Sequence, residues 1–121
     1  MIKLTFCLVR LPPLTREAFQ DYWFNRHGPL VRSVAGVLRI QRYVQFHSAD
    51  PALSADIRAS RGGPEQYDGV AELWWNGWEE LATNTGDDAR EAGRMLLEDE
   101  MKFIDLPKSP LWWGEEKVIV G

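Results

Sequence analysis

An α+β sandwich, with elements in the order β-α-β-β-α-β and a four-stranded antiparallel sheet, is the fold this sequence predicts. Its 121 residues are the size of one ordinary domain, expected to run over 1–121 without a boundary. Two stretches with helical spacing sit among four with strand character, the split βαβ order. Four of the six tryptophans fall in adjacent pairs, Trp74-Trp75 and Trp112-Trp113. Neighbours in a strand point to opposite sides, so these pairs put rings on both faces of the sheet.

Ile2 to Arg10 alternates Ile2, Leu4, Phe6 and Leu8 with Lys3, Thr5, Cys7 and Val9, the period of a strand. Leu11-Pro12-Pro13-Leu14 ends it, because proline has no amide proton for a ladder and biases its predecessor to extended backbone. Thr15 is placed to cap a helix whose first turn holds Glu17. Phe19, Trp23, His27, Leu30 and Val34 then recur at spacings of four, four, three and four, one face of an amphipathic helix. Gly36 closes that helix, and Val37 to His47 forms the expected second strand. The stretch 48–66, rich in Ser, Ala, Asp, Gly and Pro, is expected to be a long loop with one helical turn near Leu53 to Ala59. Tyr67 to Trp75 is the third strand, Asn76-Gly77 a turn, and Trp78 to Thr83 a short helix. Thr85-Gly86-Asp87 breaks the chain, with Asp87 set to cap a second long helix that runs to Ile104. Leu106 to Pro110, with two prolines, links it to a fourth strand from Trp112 to Val120.

The bulk chemistry narrows the function. A net charge of −4 and a pI near 5.2 predict no nucleic-acid partner, since such partners need clustered positive charge. No window approaches the roughly 20 apolar residues of a membrane span, and Met1 to Arg10 lacks the parts of a signal peptide. The single cysteine, Cys7, fits a reducing compartment, so the expected location is cytoplasmic. Helices cover one sheet face; tryptophans on the other imply a further cover, most economically a second copy, so the expected assembly is a homodimer.

Tyr22-Trp23-Phe24-Asn25-Arg26-His27-Gly28-Pro29-Leu30-Val31 resembles the signature of the EthD family, in which the first helix carries an aromatic pair and then His-Gly-Pro. Asp68-Gly69-Val70-Ala71-Glu72-Leu73-Trp74 is similar to that family's third strand. Glu98-Asp99-Glu100 through Phe103-Ile104-Asp105 is similar to the end of its second helix. The resemblance implies a ferredoxin-like fold and a dimeric α+β barrel, two sheets face to face with helices outside. It implies no single chemistry: relatives of this fold include muconolactone isomerases, polyketide cyclases and dehydratases, cofactor-free monooxygenases and haem-degrading enzymes.

His27 lies on the apolar helix face between Trp23 and Leu30, where an imidazole can exchange protons near neutral pH. The bland alternative is that Pro29 frees the Asn25 carbonyl and that His27 or a water donates to it. Asp99 follows Ala92 and Leu96 at helical spacing and precedes Phe103, from where it can cross to His27 and orient its ring. Acidic runs are more often solvated helix faces, and Glu98 and Glu100 are expected to include one. Glu72 alternates with Val70 and Trp74 mid-sheet, with Asp68 on its face; the two carboxylates either divide acid and base roles or form salt bridges. Tyr22, Trp23, Trp74, Trp75 and Phe103 either wall a pocket for a small aromatic or apolar ligand or serve as core and interface. There is no phosphate-binding glycine loop, no serine-nucleophile elbow, and no metal spacing from His27, His47 and Cys7.

The expected function is a cofactor-independent enzyme acting on small aromatic, lactone or polyketide-like substrates by acid–base chemistry: an isomerase, dehydratase or cyclase. Its catalytic residues would be His27, assisted by Asp99 or Glu72, with Tyr22, Trp23, Trp74 and Phe103 at the substrate. Two alternatives stand beside it. One is a non-catalytic accessory protein that holds a hydrophobic ligand for a catabolic or biosynthetic pathway. The other is a cofactor-free oxygenase or haem-handling protein, with His27 or His47 as the axial candidate.

Overall fold

A computed structural model describes residues 1–121 throughout. Four strands, β1 (Ile2–Leu8), β2 (Arg42–His47), β3 (Gly69–Trp75) and β4 (Leu111–Gly114), form one antiparallel sheet in the order β2-β3-β1-β4. That is the ferredoxin-like arrangement. Helices α1 (Arg16–Tyr22) and α2 (Gly28–Val34) are joined without a break by a π turn, Trp23–His27. They cover one sheet face beside α5 (Asp87–Glu100). The short helices α3 (Ala52–Ala59) and α4 (Trp78–Ala82) complete the chain, and no helix is long and apolar enough to cross a membrane.

Strand pairing fixes which residues share a face. Leu4, Phe6 and Leu8 of β1, Leu73 and Ala71 of β3, and Tyr43 of β2 turn toward the helices. Phe19, Trp23, Phe103 and Ile104 close over them as the buried core. Lys3, Thr5, Glu72, Trp74, Arg42, Phe46 and Trp112 alternate with these and share the other face. The tryptophan pairs thus divide as expected: Trp75 and Trp113 pack edge to face on the helix side, while Trp74 and Trp112 face away.

On that far face Trp74 is buried all the same. The Lys3 ammonium and the Arg42 guanidinium lie over its ring, and its indole N–H donates to Glu116. Phe46 and Trp112, 58% and 53% exposed, are left open beside it.

Several boundaries differ from expectation. Thr15 does cap α1, its hydroxyl accepting from the Ala18 amide at 3.1 Å. The second strand begins at Arg42, not Val37. Arg39 takes a left-handed conformation (φ 60°), and the Ile40 amide bonds back to the Ala35 carbonyl, so Val37 to Ile40 form a helix-closing turn. The turn foreseen inside the long loop is the eight-residue helix α3, none of whose residues is buried. Gly86, not Asp87, caps α5, which ends at Glu100. The fourth strand stops at Gly114, because β1 offers it partners only from Lys3 to Phe6; Val118, Ile119 and Val120 are exposed.

Gly69 opens β3 where the chain runs under the Trp23 ring. A methyl group there would lie 2.8 Å from ring atom Cη2 and 2.9 Å from the Phe46 carbonyl oxygen. Trp23 is a fully buried ring held between Phe19 and His47. Gly69→Ala is therefore expected to destabilise the fold by ~1–3 kcal/mol, the usual cost of overpacking, read as a lower urea midpoint. An unchanged midpoint would contradict this packing.

Candidate active site

The helix-side residues converge on His27. Pro29 cannot donate to the Asn25 carbonyl and its ring would crowd that carbonyl in a regular helix. The helix widens by one residue instead, so that the Gly28 amide bonds to the carbonyl of Trp23. That carbonyl also accepts from the Gln45 side-chain amide at 2.9 Å, which ties the π turn to β2. The widened turn shifts the apolar stripe. After His27 the buried residues are Val31 and Val34, and Leu30 is only half-buried.

His27 is 5% exposed, and its Nδ1 lies 2.8 Å from Oδ2 of Asp99. Its partner is thus the carboxylate and not the Asn25 carbonyl. The other carboxylate oxygen, Oδ1, accepts from the Tyr22 hydroxyl at 2.6 Å and lies 3.5 Å from the Lys102 ammonium. Burial alone would raise the Asp99 pKa, but hydrogen bonds from Tyr22 and His27 and the nearby positive charge hold it below the usual carboxylate range. Burial lowers the His27 pKa against the opposing pull of Asp99, so its ring is neutral at neutral pH. Burial, with the bond to Asp99, pushes the Tyr22 hydroxyl up to about 12.

An ionised carboxylate only accepts hydrogen bonds, so the proton of the neutral imidazole sits on Nδ1. The lone pair is left on Nε2. That atom has no partner in the protein, and no buried side-chain nitrogen or oxygen is sealed off unpaired, so Nε2 reaches open space.

His27 lines a cavity of about 160 Å³ between sheet and helices, beside Phe6, Trp23, Val31, Leu73 and Trp75 among others, and with Nδ1 held by Asp99 the ring edge bearing Nε2 is the one free to face it. An apolar cavity of about this size holds one six-membered ring. Besides His27, its polar residues are Tyr43 and Glu100. A larger outer groove of about 530 Å³ between α2 and β2 shares Val31, Ile40 and Tyr43 with the cavity, which makes it the adjoining vestibule.

The expected site residues therefore divide. His27, Asp99 and Tyr22 form one hydrogen-bonded chain, and Trp23 lines the cavity. Phe103 supports the His27 ring from behind, centroids 5.1 Å apart, and does not line the cavity. Glu72 and Trp74 lie on the opposite face of the sheet. There Glu72 pairs with Lys3 at 3.3 Å within the chain, and Asp68 pairs with Arg10, so the two carboxylates do not form an acid–base couple. The structure does not bring Glu72 or Trp74 to His27. His47 stacks on Trp23 with centroids 4.5 Å apart and bonds to Gln45, outside the cavity.

Glu100 and Tyr43 are the residues sequence reasoning missed. Glu98 is the solvated acid, bonded to Arg94; Glu100 turns inward. The signal was there: Glu100 is four residues beyond Leu96 and eight beyond Ala92, on the same buried stripe. No group of three or more potential metal ligands occurs.

The family model for the EthD domain matches residues 11–107. Among solved structures, the chain is similar to an EthD-family protein from Bacillus halodurans at 21% identity and a TM-score of 0.61, covering 97% of this chain and 100% of that one. It is likewise similar to an EthD-like protein from Ralstonia eutropha at 15% identity and 0.59, covering 98% and 95%. A dimeric ferredoxin-like protein of unknown function from Bacteroides fragilis matches at 8% identity and 0.57, covering 95% of each chain. At these identities the likeness concerns the fold. No curated protein matches the sequence.

Burial raises the Glu100 pKa to about 7, with the Asp99 charge adding to the effect. A carboxyl whose folded pKa is raised costs stability as pH rises from its unfolded value, near 4.5, through the folded one. Glu100→Gln removes that cost. The variant is expected to match the parent near pH 4.5 and to exceed its stability by ~1–3 kcal/mol above about pH 7.5, measured by urea unfolding across pH. A gap independent of pH would mean that Glu100 titrates normally.

Proposed function

The chain belongs to the EthD family, and from that premise and the site geometry we propose a cofactor-independent acid–base enzyme of the isomerase, dehydratase or cyclase type. Its substrates would be small one-ring compounds such as lactones, aromatic precursors or polyketide-like rings. The observation that supports this most is the Asp99–His27 pair, with Nε2 of a neutral imidazole opening on an apolar cavity.

The chemistry follows from the placement. Nε2 takes a proton from a carbon next to a carbonyl, and Asp99 stabilises the imidazolium that forms, as a buried acid does for a catalytic imidazole. Tyr22 holds Asp99 in place, and the apolar wall keeps competing water out. Asp99 and Tyr22 are positioning residues in this scheme. The outer groove gives a ring its path inward. A purely carrying role would leave the Nδ1 bond to Asp99 without purpose for the ligand.

A homodimer is proposed on a separate observation. Phe46 and Trp112 leave apolar surface open on the sheet face away from the helices, and the Bacteroides fragilis neighbour is described as dimeric. Light scattering should give twice the 13.9 kDa chain mass, and a monomeric mass at micromolar concentration would remove the dimer.

The test of catalysis needs no knowledge of the natural substrate. Cyclic ketones, lactones and one-ring diketones incubated in heavy water should exchange the hydrogens beside their carbonyls faster with the protein present, followed by proton NMR. His27→Gln should reduce that acceleration by roughly 10²–10⁴-fold. Asp99→Asn should reduce it too. On the acid side the rate should hold until below the ordinary histidine pKa of 6.5, because burial lowers that of His27 and the base must be neutral. Exchange that survives in His27→Gln would overturn the assignment.

A further inference from the structure

We propose that Tyr43 and Glu100 together form a donor site for the oxygen of a one-ring carbonyl compound, set in the same cavity as Nε2 of His27. This rests on the acid–base reading of His27 and names the group that receives the electrons His27 releases.

Hydrogen bonding around Tyr43 fixes its role. The Gln45 amide nitrogen donates one proton to the Trp23 carbonyl at 2.9 Å and the other to the Tyr43 oxygen at 2.8 Å. The Gln45 carbonyl oxygen already faces Nε2 of His47 at 2.7 Å. The Tyr43 oxygen is thus an acceptor from Gln45, with the Trp23 indole a second donor toward it, and its own proton has no acceptor in the protein. Tyr43 lines both the cavity and the outer groove, and its hydroxyl is near enough to Glu100 to feel that charge, so its proton is available to a ligand where the two spaces meet.

Glu100 completes the pair. Its carboxyl makes no hydrogen bond or ion pair in the protein, yet it lines an apolar cavity. A carboxyl so placed keeps its proton more readily than one in water, and the proton-bearing form is a donor. The charged and titratable groups near it are few. Asp99 adjoins it on α5, His27 faces the cavity from the π turn and Tyr43 from β2. Leu4 and Phe6 of β1, Leu73 and Trp75 of β3 and Leu111 of β4 bring no charge.

Two neutral donors suit an oxygen that gains negative charge during reaction, since they stabilise that charge without pairing with the ground state as a cation would. The step balances. Nε2 removes a proton from the carbon beside the carbonyl. The C–H electron pair becomes the carbon–carbon double bond, and the carbonyl π pair moves to oxygen. Glu100 gives that oxygen its proton while Tyr43 hydrogen-bonds to it, leaving an enol, a carboxylate and an imidazolium. Return of a proton from the imidazolium to carbon and of the enol proton to Glu100 regenerates both groups. The ligand class is an enolisable cyclic ketone, lactone or diketone, with one ring inside.

The probe is cyclohexanone labelled with carbon-13 at its carbonyl, an acceptor that does not titrate. Its affinity and carbonyl NMR shift would be measured at about pH 6 and pH 9. Binding to the parent protein should weaken by roughly tenfold at the higher pH, as Glu100 loses its proton. Glu100→Gln, which keeps a donor but not a titration, should bind with little pH dependence. Tyr43→Phe should weaken binding roughly tenfold at both pH values and move the carbonyl resonance upfield. His27→Gln should lose hydrogen exchange and still show the roughly tenfold pH dependence of binding set by Glu100, which separates the two proposals. Absence of saturable binding, or a shift and affinity unaffected by Tyr43→Phe, overturns the donor site whatever the exchange rates show. A parent protein that binds as described but exchanges nothing overturns the catalytic reading alone.

Discussion

A proline inside a helix is the constraint on which the site depends. Pro29 removes a backbone donor and crowds a carbonyl, and the helix answers with one wide turn from Trp23 to His27. The Trp23 carbonyl is shared between the Gly28 amide and Gln45, so the irregularity is held from the sheet as well as from the helix. One extra residue per turn moves the buried stripe from Leu30 to Val31. It also leaves His27 buried within reach of Asp99 on α5. A regular helix with alanine at 29 would have a different face.

Two adjacent acids then show how environment assigns role. Asp99 gathers the Tyr22 hydroxyl, the His27 ring nitrogen and the Lys102 ammonium, and stays ionised. Glu100, the next residue, meets an apolar wall and no donor, and holds its proton up to about pH 7. Successive helical residues point about 100° apart, so one faces a polar chain and the other a cavity. The pair pushes carboxyl pKa values in opposite directions, the condition under which one fold can supply both a base and an acid.

Much of this was legible in the sequence, for reasons tied to particular residues. Alternation in Ile2 to Leu8 gave the strand, Thr15 the helix start, and His27 and Asp99 their shared interior through spacing alone. The adjacent tryptophans sorted to opposite faces because pleating leaves no other choice. The misses have physical causes too. Val37 to Ile40 are apolar enough for a strand, but the preceding helix needs them for its closing turn. Trp112 to Val120 has strand character throughout, yet a strand is as long as its partner allows, and β1 pairs only to Gly114. Glu72 shares a strand with cavity residues, and a period of two sends it to the other side. Glu100 was hidden by its acidic neighbours, although its register with Leu96 placed it inward. Tyr43 carried no signal of its own, because its role comes from Gln45.

The central claim is a protonation state: His27 neutral, its proton on Nδ1 toward Asp99, its Nε2 bare in the cavity. Nitrogen-15 labelling of the two histidines and long-range proton–nitrogen correlation NMR at neutral pH reads this directly. The account predicts a protonated Nδ1 and an unprotonated Nε2 for His27, with the ring gaining its second proton only below 6.5. A proton on Nε2, or an imidazolium at neutral pH, would contradict it and leave the cavity without a base.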